Sequence, residues 1–173
     1  MLYTTPRPSA TQLHLLAELD TLRQRLGREV AVPRPWVGTL RRLARVSTAR
    51  SSTSIEGFAV APSEAVQVVE RGDDTGQRDR RALADYALAM EHVAVLALDP
   101  RFSWSDRVLL DLHFEVCAGA PGASPGRLRT GPMAVTGAGG GLAYVAPEAD
   151  QVAPLFDELV ALFKEAQEKL GLP

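Results

Sequence analysis

Apolar residues recur three or four positions apart over most of this chain. That spacing places them along one side of an α-helix. Glycine, proline and hydroxyl residues separate six such segments. The segments begin near Ser9, Trp36, Ser63, Asp79, Ser103 or Ser105, and Asp150. The sequence therefore predicts a mainly α fold of about six helices.

Residue types with known positional preferences mark the expected helix ends. Ser9 or Thr11 is expected to cap the first helix, and Gly27 fits just past its end. Ser63 is expected to cap the third helix, and Asp99-Pro100 to stop the fourth.

The segment from Gly131 to Pro147 departs from the helical pattern. Short apolar pieces flank the cluster Gly137–Gly141, which is typical of a β-hairpin whose glycines supply positive φ angles at the turn. A phosphate-binding loop is the alternative, but no Gly-Lys-Ser/Thr follows the cluster and no G-x-G-x-x-G order precedes a helix. We interpret the cluster as a hairpin tip.

Composition narrows the class of protein. The 173 residues suit one domain with a hydrophobic core, and the formal net charge of −2 gives no basic field for nucleic acid. No apolar run is long enough to span a bilayer, and the N-terminus lacks a signal-peptide pattern. The single cysteine excludes an internal disulfide. We expect a cytoplasmic protein without nucleic-acid or membrane partners.

Metal and nucleophilic sites find little support. His113 and Cys117 lie four apart on a predicted helix, a spacing that permits metal ligation. Two ligands do not make a site, and His14 and His92 belong to other helices. No nucleophile-elbow motif supports a Ser-His-Asp triad. We expect no metal, with Cys117 packing as a small apolar residue.

Two arginines, Arg127 and Arg129, lie on one side of a predicted extended segment. Guanidinium groups suit phosphate or carboxylate partners. The alternatives are a solvated pair, or one arginine pinning the loop to a helix end.

The hydroxyl-rich stretch from Ser51 to Gly57 ends the second predicted helix. If that helix continues to Glu56, Ser52 and Glu56 share a face, and Gly57 falls where a left-handed cap ends a helix. A glutamate at a helix C-terminus opposes the macrodipole, so it gains most from an arginine that comes from elsewhere. The alternative is an ordinary exposed carboxylate.

Several motifs together resemble the Fic family of protein adenylyltransferases, from about Trp36 onward. Ser52–Gly57 resembles the family's (S/T)-(S/T)-x-I-E-G stretch. Pro125–Thr130 resembles its P-G-x-x-R segment and puts Arg129 on the family's arginine. Residues 133–147 resemble its flap hairpin, and the helix from about Gln151 to Leu170 matches the element after the flap.

This resemblance implies a regulatory role for Ser52, Glu56 and Gly57. Glu56 would pair with a catalytic-loop arginine that otherwise holds the γ-phosphate of ATP, and Ser52 would brace that contact. Residues 36–57 would form the inhibitory helix region and residues 131–147 the flap. The flap would dock the target protein by strand addition. Its expected docking residues are Val135, Thr136, Gly137, Tyr144 and Val145.

One departure from the family is large. The catalytic signature H-x-F-x-(D/E)-G-N-G-R-x-x-R is absent, because the chain contains no asparagine. His113-Phe114 continues with Glu115-Val116-Cys117 and does not match it. The resemblance therefore implies a single Fic-like N-terminal domain over residues 1–173 that lacks the catalytic helices and is inactive alone. We expect either a piece of a longer protein or a naturally shortened product, with no cofactor of its own. The complete enzyme would use ATP and Mg²⁺.

Two other hypotheses stay open. The chain could be a non-catalytic helical module that acts in trans on a separate Fic core, as an antitoxin does, or an unrelated helical binding protein. A fragment of this kind would also expose apolar helix surface and self-associate. The side expected to be exposed carries Leu155, Leu159, Leu162 and Phe163.

Overall fold

A computed structural model describes residues 7–32, 34–72, 75–120, 124–137 and 139–170. These residues form six helices and one two-stranded antiparallel sheet, so the predicted mainly α fold with one hairpin is confirmed. No helix in these ranges has the length and apolarity needed to cross a membrane. The elements are α1 (Ala10–Ala31), α2 (Pro35–Ile55), α3 (Pro62–Arg71), α4 (Arg78–Leu96), α5 (Asp106–Cys117), β1 (Ala134–Thr136), β2 (Leu142–Val145) and α6 (Ala149–Leu170).

The chain divides into two compact units, Met1–Arg45 and Val46–Pro173. The first contains α1 and the beginning of α2, and the second contains the end of α2 and all later elements. The expectation of one domain over residues 1–173 stays a prediction.

The start of α1 agrees with the sequence prediction, whereas its end does not. Ser9 forms a capping box, in which its Oγ accepts from the Gln12 N–H at 3.3 Å and the Gln12 side chain accepts from the Ser9 N–H at 2.8 Å. The expected end at Gly27 is wrong, because α1 continues to Ala31. It stops where Val32 becomes extended, as a residue followed by proline tends to be.

At the starts of α3 and α5, the structure shows which of the predicted residues cap the helix. Ser63 does not cap α3, because Pro62 occupies the first helical position and Ala61 the cap position. Proline suits that first position, where its missing N–H has no helical partner to lose. Ser105 rather than Ser103 caps α5, and its Oγ accepts from the Val108 N–H at 3.2 Å.

The end of α2 is a Schellman motif centred on Gly57. Its φ of +85° is left-handed, as predicted from the sequence. The Gly57 N–H donates to the Ser54 carbonyl and the Phe58 N–H to the Thr53 carbonyl, both at 3.1 Å. These bonds satisfy two carbonyls that the helix itself leaves unpaired.

The hydrophobic core of the second unit lies beside this turn. It combines apolar side chains from the end of α2, from the segment after Gly57, and from α3 and α4. Leu83 and Val68 are fully buried at its centre. The remaining members are Val46, Ala49, Val60, Ala65, Val69 and Ala87.

The hairpin pairs Ala134 with Val145 and Val135 with Tyr144, with an irregularity between Val135 and Thr136. Gly140 supplies a positive φ of 76° at its tip. Both strands are exposed along their whole length, as is Gly137.

Helix α6 packs against the segment that precedes α5. The Phe163 ring stacks on Trp104 with 4.8 Å between centroids, and Gln167 Nε2 donates to the Phe102 carbonyl at 2.8 Å. Leu155 and Leu159 are half-buried. The side of α6 that was expected to be open is thus partly covered within its own unit.

We expect Gly57→Ala to lower the free energy of unfolding by about 1–2 kcal/mol, the cost of a left-handed conformation for a residue with Cβ. A Cβ there would meet nothing within 4 Å, so the loss comes from backbone strain alone. Chemical denaturation measures it. Gly38→Ala, in the interior of the same helix, is the control and should raise helix stability. A Gly57→Ala protein as stable as the parent would contradict the strain.

Candidate functional site

A pocket of about 600 Å³ lies in the second unit, at the end of α2. Residues of α4 and of the end of α5 complete it. It brings together Ser52 and Glu56, the two side chains predicted to share a face. The lining residues are Ser52, Thr53, Ile55, Glu56, Phe58, Arg78, Ala82, Asp85, Tyr86, Val116, Cys117, Gly119 and Ala120.

Two of the hydroxyl residues bond back to carbonyls of their own helix. Thr53 is buried, and its Oγ1 donates to the Ala49 carbonyl at 3.0 Å. Ser54 Oγ donates to the Ser51 carbonyl at 2.8 Å. Such bonds satisfy the hydroxyls without strengthening the helix, which ends soon after them. Ser52 is half-buried at the pocket.

Glu56 lies in the turn after α2, with its side chain exposed. Within the described ranges its carboxylate makes no hydrogen bond or ion pair, and the last turn of α2 carries no basic residue. Arg78 also lines the pocket, and its guanidinium lies 4.9 Å from the centroid of the Phe58 ring. The Glu56 carboxylate is therefore accessible at the negative end of a helix dipole.

Asp85 is a buried residue that lines the pocket. It was not predicted from the sequence as a site residue. The residue is 6% exposed. It accepts from Arg81 Nε at 2.9 Å and from the Gly119 N–H at 3.1 Å, which ties α4 to the turn after α5. A Cβ at Gly119 would lie 2.6 Å from Arg81 Cγ, so this approach requires glycine. The Arg81–Asp85 spacing on a predicted helix was the signal that could have found this site.

Cys117 and His113 make separate contacts. Burial, and secondarily the Asp85 charge, raise the pKa of the Cys117 thiol above its ordinary value, which favours the unreactive thiol form. His113 Nδ1 accepts from the Gly126 N–H at 3.1 Å.

Metal ligands do not gather at this pocket. Among the described residues, no three His, Cys, Asp or Glu side chains are placed to hold a metal ion. Both Asp85 oxygens already accept protein hydrogen bonds.

The two arginines of the P-G-x-x-R segment differ in their contacts. Arg129 donates from Nη1 to the Gly131 carbonyl at 2.7 Å and from Nη2 to the Pro147 carbonyl. It thus joins both ends of the hairpin. The anion-binding and loop-pinning roles of these arginines stay predictions. Arg127 is exposed. Neither arginine lines the pocket.

Comparisons with known proteins found no matching family model, no matching curated protein and no matching solved structure.

We expect Arg129→Met to loosen the base of the hairpin. The Ala146 N–H, which donates to the Met133 carbonyl at 2.9 Å, should then exchange with solvent several-fold faster. Hydrogen–deuterium exchange measures this. Arg127→Met is the matched control and should leave that exchange rate unchanged. Equal rates in parent and Arg129→Met would show that other contacts close the hairpin.

We expect Asp85→Asn to lower the pKa of Cys117, because a negative charge near the thiol disfavours the thiolate. Burial, the larger cause, stays, so the pKa should remain above its ordinary value. The rate of alkylation against pH reports this residue alone, since it is the only cysteine. Asp99→Asn is the charge-matched control. An alkylation midpoint that stays in place or rises in Asp85→Asn would exclude the effect.

Proposed function

We propose that this chain is the N-terminal regulatory portion of a Fic-type protein adenylyltransferase, with Glu56 as the inhibitory residue. One observation carries the proposal: Ser52 and Glu56 meet at one open pocket, and the Glu56 carboxylate has no partner within the described ranges. The absent catalytic signature means that the chain alone should not transfer AMP from ATP to protein hydroxyls.

The proposed inhibition follows from simple electrostatics. The carboxylate at the end of α2 faces the unfavourable end of the helix dipole, so a cation placed there relieves it. An arginine offers two parallel N–H donors that match a carboxylate. Once held by Glu56, a catalytic-loop arginine is lost to the γ-phosphate of ATP. Ser52, one turn earlier on the same face, would brace the contact.

The hairpin is proposed as the flap that docks a target protein. Its strands are exposed, and a two-stranded sheet offers edge N–H and C=O groups to an added strand. Arg129, which holds both ends of the hairpin, supports the preformed geometry that strand addition needs. ATP and Mg²⁺ are assigned to the catalytic core, because the loop and arginines that would bind the phosphates belong to the signature that this chain lacks.

A second candidate is a non-catalytic module that acts in trans on a separate Fic core, like an antitoxin. The exposed Glu56 carboxylate at the pocket suits it as well as the first candidate. An arginine from another chain could reach the same carboxylate. The two candidates share the contact and differ in whether the core is covalently attached.

We expect Glu56→Gln to raise AMP transfer when the chain is joined to a Fic core that carries the H-x-F-x-(D/E)-G-N-G-R-x-x-R motif. Loss of a charged hydrogen bond of about 1.5–3 kcal/mol corresponds to roughly 10-fold to 100-fold faster labelling. ATP-dependent AMP incorporation into protein measures it. Ser52→Ala should give a smaller increase.

Glu148→Gln is the matched control, since it removes an exposed carboxylate outside the pocket. Its labelling rate should equal that of the parent. Equal rates in Glu56→Gln and parent would rule out the inhibitory role. Inhibition of a core added as a separate chain, relieved by Glu56→Gln, would favour the trans-acting module.

A further inference from the structure

Helix α1 presents a row of leucines to solvent. The side chains of Leu15, Leu19, Leu22 and Leu26 are between 51% and 64% exposed. Their spacings of four, three and four are those of the a and d positions of a heptad, which form the seam of paired helices. Leu19 and Leu26 take the a positions, and Leu15 and Leu22 take the d positions. Exposure of such a seam to water is unfavourable, so covering it with another helix lowers the free energy.

The polar residues at the two ends of this seam discriminate between pairing directions. Gln12 occupies the a position before Leu15, and Glu29 the d position after Leu26. A parallel pair of identical helices would oppose Glu29 to itself, and like charges at a seam repel. Glu29 Oε2 lies 3.8 Å from Arg34 Nη2 of its own chain. An antiparallel pair places Glu29 opposite Gln12 of the partner subunit, where the amide can donate to the other carboxylate oxygen.

The flanking charges suit the antiparallel arrangement as well. Glu18 and Arg25 take the g positions, and antiparallel helices bring g positions together. Glu18 would face Arg25 of the partner subunit, and symmetry repeats the pair. His14 Nε2, 3.5 Å from Glu18 Oε1, also lies beside that carboxylate. Arg23 at an e position would cover Leu16 of the partner subunit with its aliphatic stem.

The ends of α1 also fit this register. The two-fold axis would pass between Asp20 and Thr21, the midpoint of Ala10–Ala31, so the helices overlap over their full length of about 33 Å. The leucine layers would then be Leu19 against Leu22 of the partner subunit, and Leu15 against Leu26 of the partner subunit.

We propose that two copies of this chain associate through antiparallel pairing of their α1 helices, with Leu15, Leu19, Leu22 and Leu26 as the seam. This association is independent of the proposed enzymatic regulation. It places self-association on α1 rather than on the side of α6 that Trp104 partly covers.

The test is the mass of the whole chain in solution, by light scattering and sedimentation equilibrium. The parent should have the mass of two chains. Leu19→Lys should raise the dimer dissociation constant by about 100-fold, because symmetry removes two leucine layers. Leu13→Lys is the matched control, because Leu13 is similarly exposed on the same helix but lies outside the seam. Circular dichroism checks that each variant keeps its helix content.

Exchanging the charges of Glu18 and Arg25 tests whether the two α1 helices pair antiparallel. Glu18→Arg alone and Arg25→Glu alone should each weaken the dimer, and the double exchange should restore it. In a parallel dimer Glu18 would face Arg23 of the partner subunit, and the double exchange would not restore it. A parent with the mass of one chain at every concentration would overturn the proposal. So would a dimer that Leu19→Lys and Leu13→Lys affect equally, or one without charge rescue.

Discussion

The second unit depends on one left-handed turn at Gly57. Because an ordinary residue there would be strained by the positive φ, glycine fixes where α2 stops. The chain that leaves the turn is held at once, since the Ala59 N–H donates to Asp79 Oδ2 at 2.9 Å and Val60 enters the core. The same turn leaves Glu56 exposed at the helix end. The position of the core and the presentation of the candidate inhibitory carboxylate thus follow from a single backbone constraint.

The hydroxyl residues before that turn point in different directions and make different contacts. Consecutive residues of a helix point about 100° apart, so neighbouring hydroxyls have different surroundings. Both Ser52 and Thr53 line the pocket, but Thr53 is buried and bonds to its own helix, whereas Ser52 is half-buried. A run of weak helix formers is therefore compatible with a helix that must end soon after it, and Ser52 is the hydroxyl on the side of Glu56.

Local signals predicted much of the fold, and competing local signals explain the errors. Gly140 at the hairpin tip and Gly57 at the end of α2 have positive φ angles, which their residue type predicted. The end of α1 was misplaced because Pro33, not Gly27, governs where the helix can continue. The start of α3 was misplaced because Pro62 precedes Ser63 and already satisfies the first turn.

Local sequence signals could not predict the long-range contacts that form the site. Asp85 meets Gly119 across 34 positions, and Arg129 meets Pro147 across 18. Pairings at that separation depend on how helices pack and loops close, which a periodic pattern does not specify. The hydrophobic pattern indicated which residues could face inward. The hydrogen bond from the Gly119 N–H to the buried Asp85 carboxylate depends on tertiary packing.

The exposed carboxylate and the exposed leucine row are different kinds of unsatisfied surface. Any apolar helix of matching register can cover the leucines, and a second copy supplies one. A carboxylate at the negative end of a helix gains only from a cation or a donor. Every residue that lines the pocket belongs to Val46–Pro173, whereas the leucine row belongs to Met1–Arg45. A substitution at Leu19 therefore leaves the pocket lining intact, and one at Glu56 leaves the seam intact. The proposed self-association and the proposed arginine capture therefore rest on separate sets of residues, and a variant that loses one of them should keep the other.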